Sequence, residues 1–153
     1  MGFKNILITG GAGYVGVPTA SLLLQNGYKV RIFDNLSWGG DVLLPFLSNK
    51  NFEFTKGDVR RKEELAEAFK GIDVVIHLAA IVGFPACRKF PEMSRDINVG
   101  GTKNVVDLAN GKIPVILAST GSTYGKIIEK FCTETTTLNP LSHYGKQKVE
   151  AEE

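Results

Sequence analysis

Blocks of consecutive apolar residues alternate along this chain with stretches whose apolar positions recur every three or four residues. "KNILIT" is a short apolar run that stops at glycines, which predicts a buried strand. "GYVGVPTASLLLQNG" follows with helical spacing and closes on Asn26-Gly27, a C-cap signal. "YKVRIFD" and "FEFT" predict a second and a third strand, with "LSWGGDVLLPFLSNK" between them as a loop with room for one short helix. "RKEELAEAFKG" reads as an amphipathic helix in which Leu65, Ala68 and Phe69 share a face and Gly71 ends the run. "DVVIHLAA" is nearly all apolar, as a strand covered on both faces is. Pro91 to Asn110 reads as helix with a glycine pair inside, and "IPVILAS" as a fifth strand. Gly125 to Asn139 predicts a long polar loop, after which Ser142 can cap a last helix carrying Tyr144 and Lys148. Pro18 conflicts with the first helix, where its missing N–H predicts a slight irregularity and not a break.

Strands alternating with helices imply parallel pairing through right-handed crossovers. The expected fold is therefore α/β, a doubly wound parallel sheet. A length of 153 residues fits one domain, residues 1–153. At 43% hydrophobic, 22% charged and a formal charge of +2, the chain has enough apolar residues for a core and no bias toward disorder. The small charge, with no basic run carrying interleaved aromatics, argues against a nucleic-acid partner. No apolar stretch is long enough to span a bilayer, and the N-terminus lacks the features of a secretory signal. Gly2 is followed by Ile6 where a myristoylation site needs Ser or Thr. Cys87 and Cys132 stand far apart without a CxxC pattern, which predicts two free thiols and a cytoplasmic protein. No His/Cys/Asp cluster has metal-ligand spacing, so no metal is expected.

The candidate chemistry begins in "TGGAGYVG", with glycines at 10, 13 and 16 directly after a predicted strand and at the mouth of a helix. Gly10 permits a tight turn, Gly13 lets backbone approach a pyrophosphate, and Gly16 lets the helix lie close to the sheet. The helix N-terminus offers free N–H groups and positive dipole to phosphates. Asp34 ends the second strand, where a carboxylate can accept hydrogen bonds from both hydroxyls of an adenosine ribose. It would repel a 2′-phosphate, and no Arg or Lys follows directly in "DNLSWGG", so NAD is expected over NADP.

With these residues in place, the chain resembles the N-terminal half of an extended short-chain dehydrogenase/reductase, the NAD-dependent epimerase/dehydratase family, which implies a Rossmann fold with strand order 3-2-1-4-5. The family's TGxxGxxG is matched by Thr9, Gly10, Gly13 and Gly16, and Tyr14, Val15 and Asn35 fall among the implied cofactor contacts. "GDVR" resembles the family's adenine-contacting pair and carries to Asp58 and Val59. "HLAA" resembles the segment that runs beneath the cofactor and carries to Leu78, Ala79 and Ala80. "NVGGT" resembles the family's N-V-x-G-T and adds Asn98 to the implied cofactor contacts, "STGSTYG" resembles its Ser-rich segment, and "YGKQK" its Tyr-x-x-x-Lys.

Tyr144 and Lys148 are four apart and so share one face of a helix. A phenol's ordinary pKa is about 10, but a nearby cation and the first turn of a helix both favour phenolate. The resemblance implies that Tyr144 takes a proton from a substrate hydroxyl during hydride transfer and that Lys148 also holds the nicotinamide ribose. By register, Thr120 is the catalytic hydroxyl and Ser119 a cofactor neighbour. A loop cap is the competing reading of Thr120.

Family dehydratases carry an Asp-Glu pair after this hydroxyl, whereas Gly121 and Ser122 stand here. That argues against a 4,6-dehydratase and leaves a sugar-nucleotide epimerase or a simple dehydrogenase/reductase. His77 is expected to bond locally, His143 to start the last helix, and Trp38 to flank the adenosine or cover the sheet edge. Phe84, Cys87 and Arg88 are candidate sugar or phosphate contacts.

The resemblance implies a C-terminal substrate domain that this chain lacks, and a homodimer in the complete protein. The expected function is thus the cofactor half of an NAD-dependent sugar-nucleotide epimerase or related oxidoreductase, with a nucleotide sugar as substrate. Alternatives are a non-catalytic NAD-binding module and a half-enzyme completed by another subunit. An uncovered sheet edge predicts that the chain alone is less stable than the complete protein and associates.

Overall fold

The computed structural model of the chain describes residues 2–126 and 131–153. The elements run β1 (Asn5–Thr9), α1 (Gly16–Gln25), β2 (Lys29–Asp34), a 3-10 turn (Asp41–Phe46), β3 (Phe52–Lys56), α2 (Lys62–Ala68), β4 (Val74–His77), α3 (Phe84–Lys89), α4 (Pro91–Arg95), a π-helical segment (Asp96–Gly101), α5 (Thr102–Ala109), β5 (Val115–Leu117), a second 3-10 turn (Gly121–Thr123) and α6 (His143–Glu152). They fall into two compact units, Met1–Ala79 with Asn104–Ala118, and Ala80–Lys103 with Ser119–Glu153.

The first unit holds the whole sheet, which is parallel throughout and ordered β3-β2-β1-β4-β5 as the sequence predicts. Burial falls off from the centre outward. Four of the five β1 residues are buried, whereas the edge strands β3 and β5 are half-buried or exposed. Side chains alternate between the two sheet faces. On one face Ile6, Ile8, Val30, Ile32 and Val74 form a core with Ala20 and Leu24 of α1 and Leu43 of the first 3-10 turn. On the other, Leu7, Phe33 and Val75 are wholly buried. The predicted face of α2 is also buried, through Leu65, Ala68 and Phe69, and Gly71 follows with φ +74°. Asp73 ties the N-terminal end of β1. Its carboxylate accepts from the amides of Lys4 (2.9 Å) and Asn5 (2.8 Å) and from the Asn5 side chain (3.0 Å).

Pro18 leaves α1 intact, contrary to the expected irregularity. It is the third residue of the helix, where a backbone N–H has no intrahelical acceptor to lose. The fourth and fifth strands are shorter than their apolar runs, because the ladder ends at His77 and at Leu117 and the chain then turns away.

In the second unit the segment from Pro91 is helical as predicted, but not uniformly α. It widens to π geometry over Asp96–Gly101, the stretch that contains the glycine pair, before α5 resumes. Helix α3 lies in a segment for which the pattern predicts no element; Gly83 at φ +90° and Pro85 in the first turn start it. Within the predicted polar loop, positions 127–130 lie outside the described residues. The Thr136 amide closes a turn on the Thr133 carbonyl (3.1 Å).

Candidate functional site

In the first unit the glycine loop leaves β1 and enters α1. Gly10 has φ +71°, in the left-handed region that its predicted turn requires, and its amide donates to the Phe33 carbonyl of β2 (2.9 Å). A Cβ on Gly10 would stand 2.6 Å from the Ala79 nitrogen, so Gly10 also lets the chain after β4 pass close by. Leu78 and Ala79, assigned to that passage, are half-buried, and the Leu78 amide donates to the Thr9 carbonyl (2.9 Å). The missing Cβ of Gly16 makes room for Gly11, whose Cα and carbonyl oxygen would lie 2.5 Å away, so the start of α1 lies close against the turn that leaves β1. A Cβ on Gly13 would crowd the Gly10 carbonyl at 3.2 Å. Tyr14 and Val15 are exposed, and α1 has neither a capping side chain nor an acidic residue in its first turn.

Asp34 fastens this loop from below. One carboxylate oxygen accepts from the Ala12 amide (3.1 Å) and the other from the Leu36 amide (2.8 Å). Each oxygen has further acceptor capacity, as a diol would require. Asn35 is exposed and accepts from Ser37. Asp58 is ion-paired with Arg60 (2.6 Å), whose guanidinium holds its carboxyl below the usual range against the opposing effect of burial. Val59 is buried, and its carbonyl accepts from Asn104 of α5 (2.9 Å). His77 is wholly buried against the Thr9 hydroxyl (Nδ1–Oγ1 2.5 Å), the local bond expected of it. Trp38 stands in solvent, 97% exposed, and covers no part of the sheet edge.

The second unit carries the proton-transfer candidates. Ser142 caps α6 as predicted, in extended backbone geometry, with its hydroxyl accepting from the Gly145 amide (2.9 Å). Tyr144 therefore lies in the first turn and Lys148 one turn further, and both are buried. The electrostatics differ from the expected balance. Burial pushes the Tyr144 phenol above its usual range, with Cys87 adding to the shift. Burial also pushes the Lys148 ammonium down, opposed by Glu152. Desolvation is the leading influence on both groups, and each is biased toward its neutral form.

Thr120 is in extended conformation and caps the second 3-10 turn, accepting from the Ser122 amide (3.2 Å), which leaves its own hydroxyl hydrogen available to donate. Ser119 is exposed and donates to Glu152 of α6. Ala80 is half-buried at the start of this unit. Asn98 sits in the π segment and is 1% exposed. Its side chain bonds both backbone groups of Ile81 and the Gln147 amide of α6, which makes it an internal tie. On α3, Arg88 lies over the Phe84 ring (5.9 Å), while Cys87 is wholly buried against the Ile81 carbonyl (3.3 Å) and presents nothing to a ligand. Gln147 and Ser94, which complete this buried polar cluster, carry no motif by which sequence could single them out. Among the described residues no group of His, Cys, Asp or Glu could hold a metal ion, and no helix is long and apolar enough to cross a membrane.

The model of the NAD dependent epimerase/dehydratase family matches residues 6–153. A putative UDP-glucose 4-epimerase from Methanocaldococcus jannaschii is 38% identical over 97% of this chain and 48% of its own length. Among solved structures, the UDP-Glc/GlcNAc 4-epimerase of Campylobacter jejuni superposes with a TM-score of 0.91 at 27% identity, over 97% of this chain and 47% of that one. The Brucella ovis UDP-glucose 4-epimerase, solved in complex with NAD, gives 0.87 at 32% identity, over 97% of this chain and 46% of that one. The chain thus spans about half the length of these relatives. With the parallel sheet, the glycine loop and the capped helix of Tyr144 and Lys148 all accounted for, the chain belongs to the NAD dependent epimerase/dehydratase family.

Proposed function

We propose that this chain is the cofactor-binding part of an NAD-dependent sugar-nucleotide epimerase in which Tyr144 is the base. The first unit fits a dinucleotide. Gly10, Gly13 and Gly16 keep Cβ atoms out of a loop that feeds an uncapped helix N-terminus, and Asp34 offers further acceptor capacity beyond its two amide bonds. The loop and α1 would hold the pyrophosphate, Asp34 the adenosine ribose, and Asp58 and Val59 the adenine. When bound, NAD supplies reversible hydride acceptance.

Tyr144 takes the proton of a sugar hydroxyl and later returns it, Thr120 holds that oxygen while the proton moves, and Lys148 orients the nicotinamide ribose and stabilises phenolate. Gly121 and Ser122 supply no acid–base pair for elimination, which favours epimerisation over dehydration. A homodimer in the cytoplasm completes the reading, and the free Cys87 and Cys132 suit a reducing compartment.

The observation that carries the proposal is a lysine and a tyrosine buried together on one capped helix. Burying a cation is unfavourable, and although ribose binding could account for Lys148 alone, it gives no reason for a phenol buried one turn before it. The test has two arms. The purified chain is titrated with NAD and with NADP, and tighter NADP binding overturns the Asp34 assignment. In the complete enzyme, assayed with UDP-glucose and NAD, Tyr144→Phe abolishes turnover and leaves NAD affinity unchanged; retained turnover removes Tyr144 as the base.

A further inference from the structure

The second unit contains a continuous buried chain of amide and hydroxyl groups in which Gln147 and Ser94 have no assigned role and Asn98, expected at the cofactor, is an internal tie. It starts at Ile81, whose amide donates to Asn98 Oδ1 (2.8 Å) and whose carbonyl accepts from Asn98 Nδ2 (3.0 Å). Asn98 Nδ2 also donates to Gln147 Oε1 (2.8 Å), Gln147 Nε2 donates to Ser94 Oγ (2.9 Å), and Ser94 Oγ donates to the Pro91 carbonyl (2.9 Å). Ser94, Asn98 and Gln147 are 0%, 1% and 6% exposed.

The direction of every bond is determined. A backbone N–H can only donate and a carbonyl can only accept, so Ile81 orients the Asn98 amide. Asn98 then orients Gln147, leaving the Gln147 nitrogen to face Ser94. The π segment supplies the geometry, because its widened turn carries Asn98 between the strand-exit residue Ile81 and α6. Its backbone carbonyl is also engaged, accepting from Thr102 Oγ1 (2.7 Å).

Gln147 stands three residues after Tyr144 and one before Lys148, on the buried side of α6. We propose that Gln147 is a positioning residue: its amide, clamped between Asn98 and Ser94, sets the rotation and depth of α6 and thereby the placement of Tyr144 and Lys148. An apolar residue at 147 could be buried equally well but would leave helix rotation to non-directional packing, whereas a satisfied buried network admits one arrangement. The role deepens the epimerase reading and rests on it for its catalytic consequence, but the placement of Tyr144 can be measured separately.

The test compares wild type, Gln147→Met, Gln147→Glu and Ser94→Ala, with circular dichroism reporting which variants fold. Gln147→Glu keeps the acceptor for Asn98 and loses the donor to Ser94, and Ser94→Ala removes only the far end of the clamp. The ultraviolet difference spectrum between each chain and its Tyr144→Phe counterpart isolates the Tyr144 phenolate. The titration midpoint is expected to move down toward that of an ordinary phenol in folded Gln147→Met and Ser94→Ala, as α6 loosens and Tyr144 gains water beside Cys87 and Lys148, whereas the new carboxylate of Gln147→Glu opposes that movement. In the complete enzyme with UDP-glucose, kcat falls on the order of tenfold to a hundredfold while KM and NAD affinity hold. An unchanged Tyr144 titration and unchanged kcat in folded Ser94→Ala and Gln147→Met would overturn the proposal. Turnover that survives Tyr144→Phe refutes the base assignment instead, and the titration result stands apart from it.

Discussion

Gly10 shows how much a single position can carry. It combines a left-handed backbone with contact to the chain beyond β4, and a Cβ there would meet backbone atoms that cannot rotate aside. Gly10→Ala is expected to destabilise the chain by about 2–4 kcal/mol, from backbone strain and overpacking together, as read by urea unfolding. The turn requirement was legible from TGxxGxxG, and so was the carboxylate at Asp34. The contact with Ala79 was not, because it joins residues 69 positions apart, and nothing in the local pattern reports a distance. Tyr144 and Lys148 teach the same point in electrostatics. Their spacing puts them on one helix face, but the direction of their pKa shifts comes from burial, which spacing does not specify.

Helix α6 is the element on which the proposed chemistry depends, and Ser142 is its one side-chain cap. Ser142→Ala is expected to cost about 1 kcal/mol and to raise amide exchange over the first turn, measured by thermal melting and hydrogen exchange. Capping is a local rule, so Ser142 could be found from the sequence. The π segment could not. Its apolar spacing reads equally well as plain α-helix, and what selects the wider turn is the set of tertiary bonds that Asn98 makes to Ile81 and Gln147. Helix α3 escaped for the opposite reason, being six residues with mixed polarity and no period to detect. The strands were found in type and order but drawn too long at β4 and β5, since an apolar run continues past the point where pairing stops.

The response of the whole molecule to acid follows from carboxylates in several places. Asp73 is held below the usual range by backbone amides, Asp58 by Arg60 and Glu64 by Arg61. A carboxylate with a depressed folded-state pKa contributes stability that is complete above its unfolded value and is lost as pH falls through the folded one. The thermal midpoint is therefore expected to hold from pH 7 to about pH 5 and to fall below about pH 4. Asp73→Asn should flatten that fall, and an identical acid slope in the variant would show that Asp73 contributes none of it. The succession of strands and helices, the turn at Gly10 and the Ser142 cap were determined by local pattern, because hydrophobic period, glycine spacing and turn chemistry act between near neighbours. Tertiary structure alone decided that Gly10 meets the chain at Ala79, that Tyr144 and Lys148 are pushed toward neutrality, and that Gln147 bonds Ser94. Close approach, desolvation and buried hydrogen bonds join residues far apart in sequence, and they exist only once the chain has folded.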